Sequence, residues 1–109
     1  MRTIRFIVDK QTITLDPSCD ISGLVPGTSG YVKAEFSFSP EWNDCKKVVA
    51  FFSNLGKEFT PQILTNRNVC NIPEEALKRA IFKVQVIGQN GKYKLSTDKA
   101  IVHQRGGVS

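Results

Sequence analysis

Phe36-Ser37-Phe38-Ser39-Pro40-Glu41-Trp42-Asn43-Asp44 opens the stretch that decides the fold. It continues through Phe51-Phe52, Cys70-Asn71-Ile72-Pro73-Glu74-Glu75-Ala76-Leu77 and Val84-Gln85-Val86-Ile87-Gly88. Apolar side chains recur here at every second position, the period of a strand with one face buried. The chain's only Trp stands in the turn after the first of these strands, and a short Pro-started helix is set among the others. Alternating strands around one helical turn belong to a β-sandwich scaffold. Nothing in the stretch has the form of catalytic apparatus.

Working outward, Ile4, Phe6 and Val8 alternate with polar neighbours, and Ile13 and Leu15 resume after Asp9-Lys10-Gln11, which predicts two short strands and a tight turn. Residues 16–30 hold three Gly and two Pro and read as a long loop of the kind that often binds. Val32, Ala34, Phe36 and Phe38 give the clearest strand, which Pro40 ends. Val48-Val49-Ala50-Phe51-Phe52 suits a central strand buried on both sides, and Asn54-Leu55-Gly56-Lys57 a hairpin turn. Pro61 places the next segment at a sheet edge or bulge. Pro73 suits the first helical position, with Glu74-Glu75 and Lys78-Arg79 complementing the helix ends. Phe82, Val84 and Val86 form a strand turned by Asn90-Gly91, the pair favoured where both central residues take positive φ. Tyr93-Lys94-Leu95 and Ala100-Ile101-Val102 complete about eight strands. The expectation is a mainly β, antiparallel two-sheet sandwich with one short helix near residues 73–79. A single domain spans 1–105, and 106–109 form a flexible tail.

At 109 residues with 40% hydrophobic content, one core is expected without metal or disulfide support. No apolar run approaches the roughly 20 residues of a membrane helix, and the N-terminus enters a strand pattern at once. No membrane association and synthesis in a cytoplasm are therefore expected. Cys19, Cys45 and Cys70 are odd in number and widely spaced, unlike a disulfide framework or a zinc site.

The net charge of +5 is unevenly placed. Residues 1–77 carry eight basic and nine acidic side chains, whereas 78–109 carry seven basic ones against Asp98 alone. That bias fits either solvated lysines on edge-proximal strands or a surface for an acidic partner.

Candidate chemistry is sparse. The single histidine, His103, lacks a nucleophile-elbow sequence to work with. Glu74 and Glu75 are adjacent on a helix and point about 100° apart, so they do not converge on a substrate. Val25-Pro26-Gly27-Thr28-Ser29-Gly30 lacks the Lys-Ser/Thr ending of a phosphate loop. No catalytic residue, metal ligand or cofactor is assigned. Lys92-Tyr93-Lys94 resembles a single-strand-binding pattern, yet alternation puts Tyr93 opposite both lysines and disfavours nucleic acid without excluding it. Trp42 is either a lid on the sandwich or a platform for a sugar or partner. The candidate partner-binding residues are therefore Trp42, Lys92, Lys94 and Lys99.

The order of these motifs resembles a module found in virions of phages infecting Gram-positive bacteria. There an aromatic strand enters a Ser-x-Glu-Trp-x-Asp turn, as at Phe38 to Asp44, and a Lys-x-x-x-x-Phe strand follows, as at Lys47 to Phe52. A Cys-x-Ile-Pro-x-Glu-x-Leu segment is matched by Cys70, Ile72, Pro73, Glu75 and Leu77. Val86-Ile87-Gly88 and the Ser96-Thr97 step resemble the closing strands. The likeness covers roughly 31–103 and implies an immunoglobulin-like sandwich from baseplate, tail-fibre or head-fibre proteins. It further implies a non-enzymatic virion component acting by protein docking, with homo-oligomerisation open. The sequence departs from the module by stopping at Ser109, so that no fibre or receptor-binding domain is expected behind it. A small phage-encoded inhibitor of host defence, anti-CRISPR-like and binding a host protein, is the alternative. A carbohydrate- or nucleic-acid-binding module is the third.

Overall fold

The computed structural model describes residues 2–19 and 31–104. Among them nine strands form two sheets. The first sheet contains β1 (Arg2–Asp9), β2 (Thr12–Leu15), β3 (Val32–Phe38) and β6 (Val69–Asn71), in the order β2-β1-β3-β6. The second contains β4 (Lys46–Ser53), β5 (Gln62–Ile63), β7 (Ile81–Gln89), β8 (Lys94–Ser96) and β9 (Ala100–His103). Its order is β5-β4-β7, and both β8 and β9 pair with the far side of β7.

The alternating residues meet between the sheets. Ile4, Phe6 and Val8 of β1 and Ala34 and Phe36 of β3 face Val49 and Phe51 of β4 and Phe82, Val84 and Val86 of β7, all buried. Phe6 stacks on Phe36 at 5.1 Å, Phe36 on Phe38 at 6.1 Å, and Phe38 meets Trp42 at 5.4 Å. This aromatic file passes from β1 along the end of β3 to the Trp turn.

The second sheet is antiparallel throughout, but the first is mixed: β1 and β3 run parallel, with Arg2 opposite Val32 and Val8 opposite Phe38. The cause is the connection after β2. β2 turns back along β1 and ends beside Arg5, whose carbonyl accepts the Asp16 N–H at 2.9 Å. β3 then starts from that same end on the other side of β1. A crossover of this length permits the parallel pairing that a tight hairpin forbids. Asp16 opens the connection by accepting the Ser18 N–H and hydroxyl. The remainder of the expected 16–30 loop, from residue 20, lies outside the described residues, as does the expected 106–109 tail.

The helix α1 is one turn, Glu74–Leu77, shorter than the expected 73–79. Pro73 is its N-cap, and its carbonyl accepts from both Ala76 and Leu77. Gln104 closes the other end, its side-chain amide donating to the Leu77 and Arg79 carbonyls at 3.1 and 2.6 Å.

The Asn90-Gly91 turn also differs from expectation. Gly91 has no positive φ, and residues 90–93 form a longer loop in which Asn90 Oδ1 accepts the N–H groups of Lys92 and Tyr93. The short amide side chain satisfies the backbone that a tight hairpin would otherwise have closed. Gly56, by contrast, takes φ +94° in the turn that brings Phe59 N–H back to the Phe51 carbonyl.

Thr97-Asp98-Lys99 interrupts the strand pairing between β8 and β9, and uses the break to join the sheets. Thr97 is buried, accepts the Val86 N–H at 3.0 Å and donates to the Asp98 carbonyl at 2.6 Å. Asp98 reaches across to β2, accepting the Ile13 N–H at 2.9 Å while its own N–H goes to the Gln11 carbonyl. Thr97→Val is expected to cost about 1–2 kcal/mol, because the methyl keeps the shape but leaves a buried N–H unpaired. Urea unfolding of Thr97→Val and Thr97→Ser measures this: serine should retain most of the stability, and a wild-type midpoint for valine would refute it.

Candidate docking face

The two sheets turn unlike faces to the outside. Outward positions of the first sheet include Thr3, Arg5, Thr12, Thr14, Lys33, Glu35 and Ser37, with Ile7 on β1 and Tyr31 just before β3 the exposed large hydrophobic side chains. Arg5 and Glu35 are register partners and pair at 3.6 Å. Such a face is already suited to water.

The second sheet is different. Outward from β4 point Lys46, Val48, Ala50 and Phe52; from β7, Ile81, Lys83, Gln85, Ile87 and Gln89. Register aligns Ile63, Val48 and Ile87 into one cross-strand apolar row, and sets Lys83 between Phe52 and Ile101 in a second, mixed row. Ile63 is 80% exposed and Ile101 48%. Phe52 is shielded by Lys99, whose ammonium sits 4.0 Å from the ring centroid. Shallow grooves on either side of β4 share Lys46 and Val48 as lining.

The candidate residues separate across this architecture. Lys94 lies outward opposite Gln89, and Lys99 covers Phe52, so both belong to this face. Lys92 is exposed in the loop beyond β7. Trp42 is on the core side, with no exposed area, and its indole N–H donates to the Lys10 carbonyl at 2.7 Å. A partner finds no surface on that ring. Tyr93 is 44% exposed and donates its hydroxyl to the Glu41 carbonyl at 2.6 Å, which anchors the 90–93 loop to the Trp turn.

Sequence reading missed Ile63, Ile87 and Ile101. A signal was present: positions 81, 83, 85 and 87 alternate with the core positions of β7, and two of them are Ile.

The titrating groups with perturbed affinity belong to the scaffold. Glu41 is held below the usual carboxylate range by its own backbone N–H and then by Ser39, and Asp16 by the backbone N–H and hydroxyl of Ser18. Burial pushes the Cys70 thiol up to about 12. The folded chain therefore keeps this proton where the unfolded chain, at 9.0, loses it, so Cys70 makes stability fall as pH rises from 9 toward 12 and contributes no slope below 9. Between about pH 8 and about pH 10.5 the wild type should lose more stability than Cys70→Ala. Equal losses by urea denaturation would count against it.

Among the described residues no group of three or more His, Cys, Asp or Glu is placed to hold a metal ion, and no helix is long and apolar enough to cross a membrane. No family model matches the chain, and no curated protein or solved structure shows significant similarity to it.

Proposed function

We propose that this chain is a non-enzymatic docking module, an accessory virion component of baseplate, tail-fibre or head-fibre type that is incorporated through protein–protein contact. The observation that supports it most is the outer face of the five-stranded sheet, where Ile63, Val48 and Ile87 stand in register and Ile101 lies exposed in the row of Lys83, among lysines. An apolar centre with a charged surround is how protein interfaces are built, and apolar side chains that adjoin on a sheet surface, as Ile63, Val48 and Ile87 do, form the kind of patch that marks contact sites. The order of sequence motifs, which resembles the phage module, supports the virion setting. Within this reading the sandwich is an immunoglobulin-like variant that contains a parallel β1–β3 pair.

Quantitative mass spectrometry of purified phage particles from a host carrying the gene tests the assignment. A fixed copy number per virion is expected. Absence from particles, with the protein abundant in infected cells, would sink the virion reading and leave an intracellular inhibitor in its place.

A further inference from the structure

We infer that the outer face of the five-stranded sheet receives an acidic protein surface, one with an apolar centre flanked by Asp and Glu. The inference rests on the docking reading above and deepens it by giving the partner's chemistry. The outward strand positions carry Lys46, Lys83 and Lys94, and Lys99 joins them from the segment between β8 and β9. Those same strand positions hold no carboxylate. The acids beside it are Glu58, bridged to Phe52, Asp44 beside Lys46, and Asp98 next to Lys99, the Asp98 carboxylate being turned to the Ile13 N–H of β2. Lysine ammonium groups around exposed Ile63 and Ile101 call for carboxylates around apolar residues on the other side.

Two other occupants fit less well. A second copy meeting this face would set four lysines against four, with only the flanking carboxylates to offset them, and like charges across an interface are costly. Nucleic acid would match the lysines, but the centre of the face is aliphatic. Of its rings, Phe52 is 9% exposed beneath Lys99 and cannot stack on a base, and His103 stands opposite Ile81, six residues along β7 from the Ile87 row.

The test places a photoreactive benzophenone amino acid at position 63, and in a control chain at position 14 on the outer face of the first sheet. Each is expressed in particle-producing host cells, and crosslinked peptides are mapped by mass spectrometry. The expected result is a crosslink from position 63, and not from 14, to another protein at a segment where Asp and Glu outnumber Lys and Arg. Lys46→Glu with Lys94→Glu should lower its yield roughly tenfold or more, with the thermal midpoint of the purified variant confirming that it folds. No crosslink from 63, equal crosslinks from both positions, a crosslink to this chain itself, to nucleic acid, or to a neutral or basic segment would each overturn the inference.

The two proposals fail separately. A chain present in virions but crosslinked through position 14 keeps the virion reading and loses this face. A chain absent from virions but crosslinked from 63 to an acidic segment does the reverse.

Discussion

Trp42→Ala is expected to destabilise the protein by about 3–5 kcal/mol, the range for removing a large aromatic from a packed core. The ring has no exposed area and meets Phe38 at 5.4 Å at the end of the aromatic file. Its loss also releases the β1–β2 turn. Lys10 holds a left-handed φ of +56° there, a conformation a residue with a Cβ adopts at some cost. The turn is kept in place by the Trp42 indole on the Lys10 carbonyl at 2.7 Å and by Ser39, whose hydroxyl accepts the Lys10 N–H at 2.8 Å. Trp42→Phe should lie between wild type and alanine, since it restores most of the volume but not the donor. Urea denaturation followed by far-ultraviolet circular dichroism reads all three. An alanine variant within about 1 kcal/mol of wild type would refute a core role. For function, the same variant should lose partner binding only in proportion to the fraction unfolded.

Much of the fold was legible because its signal is local. β1, β3 and β7 each place apolar residues at alternate positions over seven to nine residues, enough to fix both the element and its inner face, whereas the unbroken apolar run of β4 fixes only the element. Phe36, Phe51 and Phe82 are in the core, while Phe38 is half-buried and takes the Lys47 ammonium over its ring at 5.0 Å. Strand direction was not legible. Alternation looks the same whichever way a neighbour runs, and the parallel β1–β3 pair depends on the path of a long connection. The Asn90-Gly91 reading failed for a different reason. The dipeptide permits a tight turn, but the Asn90 side chain and the Tyr93 contact with Glu41 favour a longer one.

The docking face was half legible. Excess lysine in the last third pointed to Lys94 and Lys99, because charge counts survive ignorance of the fold. The apolar half was hidden. Val48-Val49-Ala50-Phe51-Phe52 reads as a strand buried on both sides, and in the structure its second side is covered only in part, with Phe52 beneath Lys99 and Val48 open to the grooves. Ile63 lies in a strand of two residues and Ile101 in one of four, too short for alternation to assign a face. Trp42 was ambiguous for want of geometry: a Trp after Pro in a turn has the same sequence whether it points into the core or away from it.

Gly88→Val is expected to cost about 3 kcal/mol, the upper part of the usual range for overpacking. A Cβ at position 88 would lie 2.7 Å from Cζ3 and 2.8 Å from Cε3 of Trp42, and 3.3 Å from Cys45 Cβ. An exposed side chain at that distance would swing aside at little cost. Trp42 cannot, because it is enclosed on all sides and tethered through its N–H to Lys10. The strain must therefore go into β7 or break the tether. β-propensity runs the other way, since valine suits a strand better than glycine does, so a loss of stability identifies the clash as its cause. A double-mutant cycle makes the identification sharp. In the Trp42→Ala background the indole is gone, and Gly88→Val should cost far less or even stabilise by filling part of the void. If the substitution costs the same in both backgrounds, the close approach of Gly88 to the indole is not what holds that position to glycine.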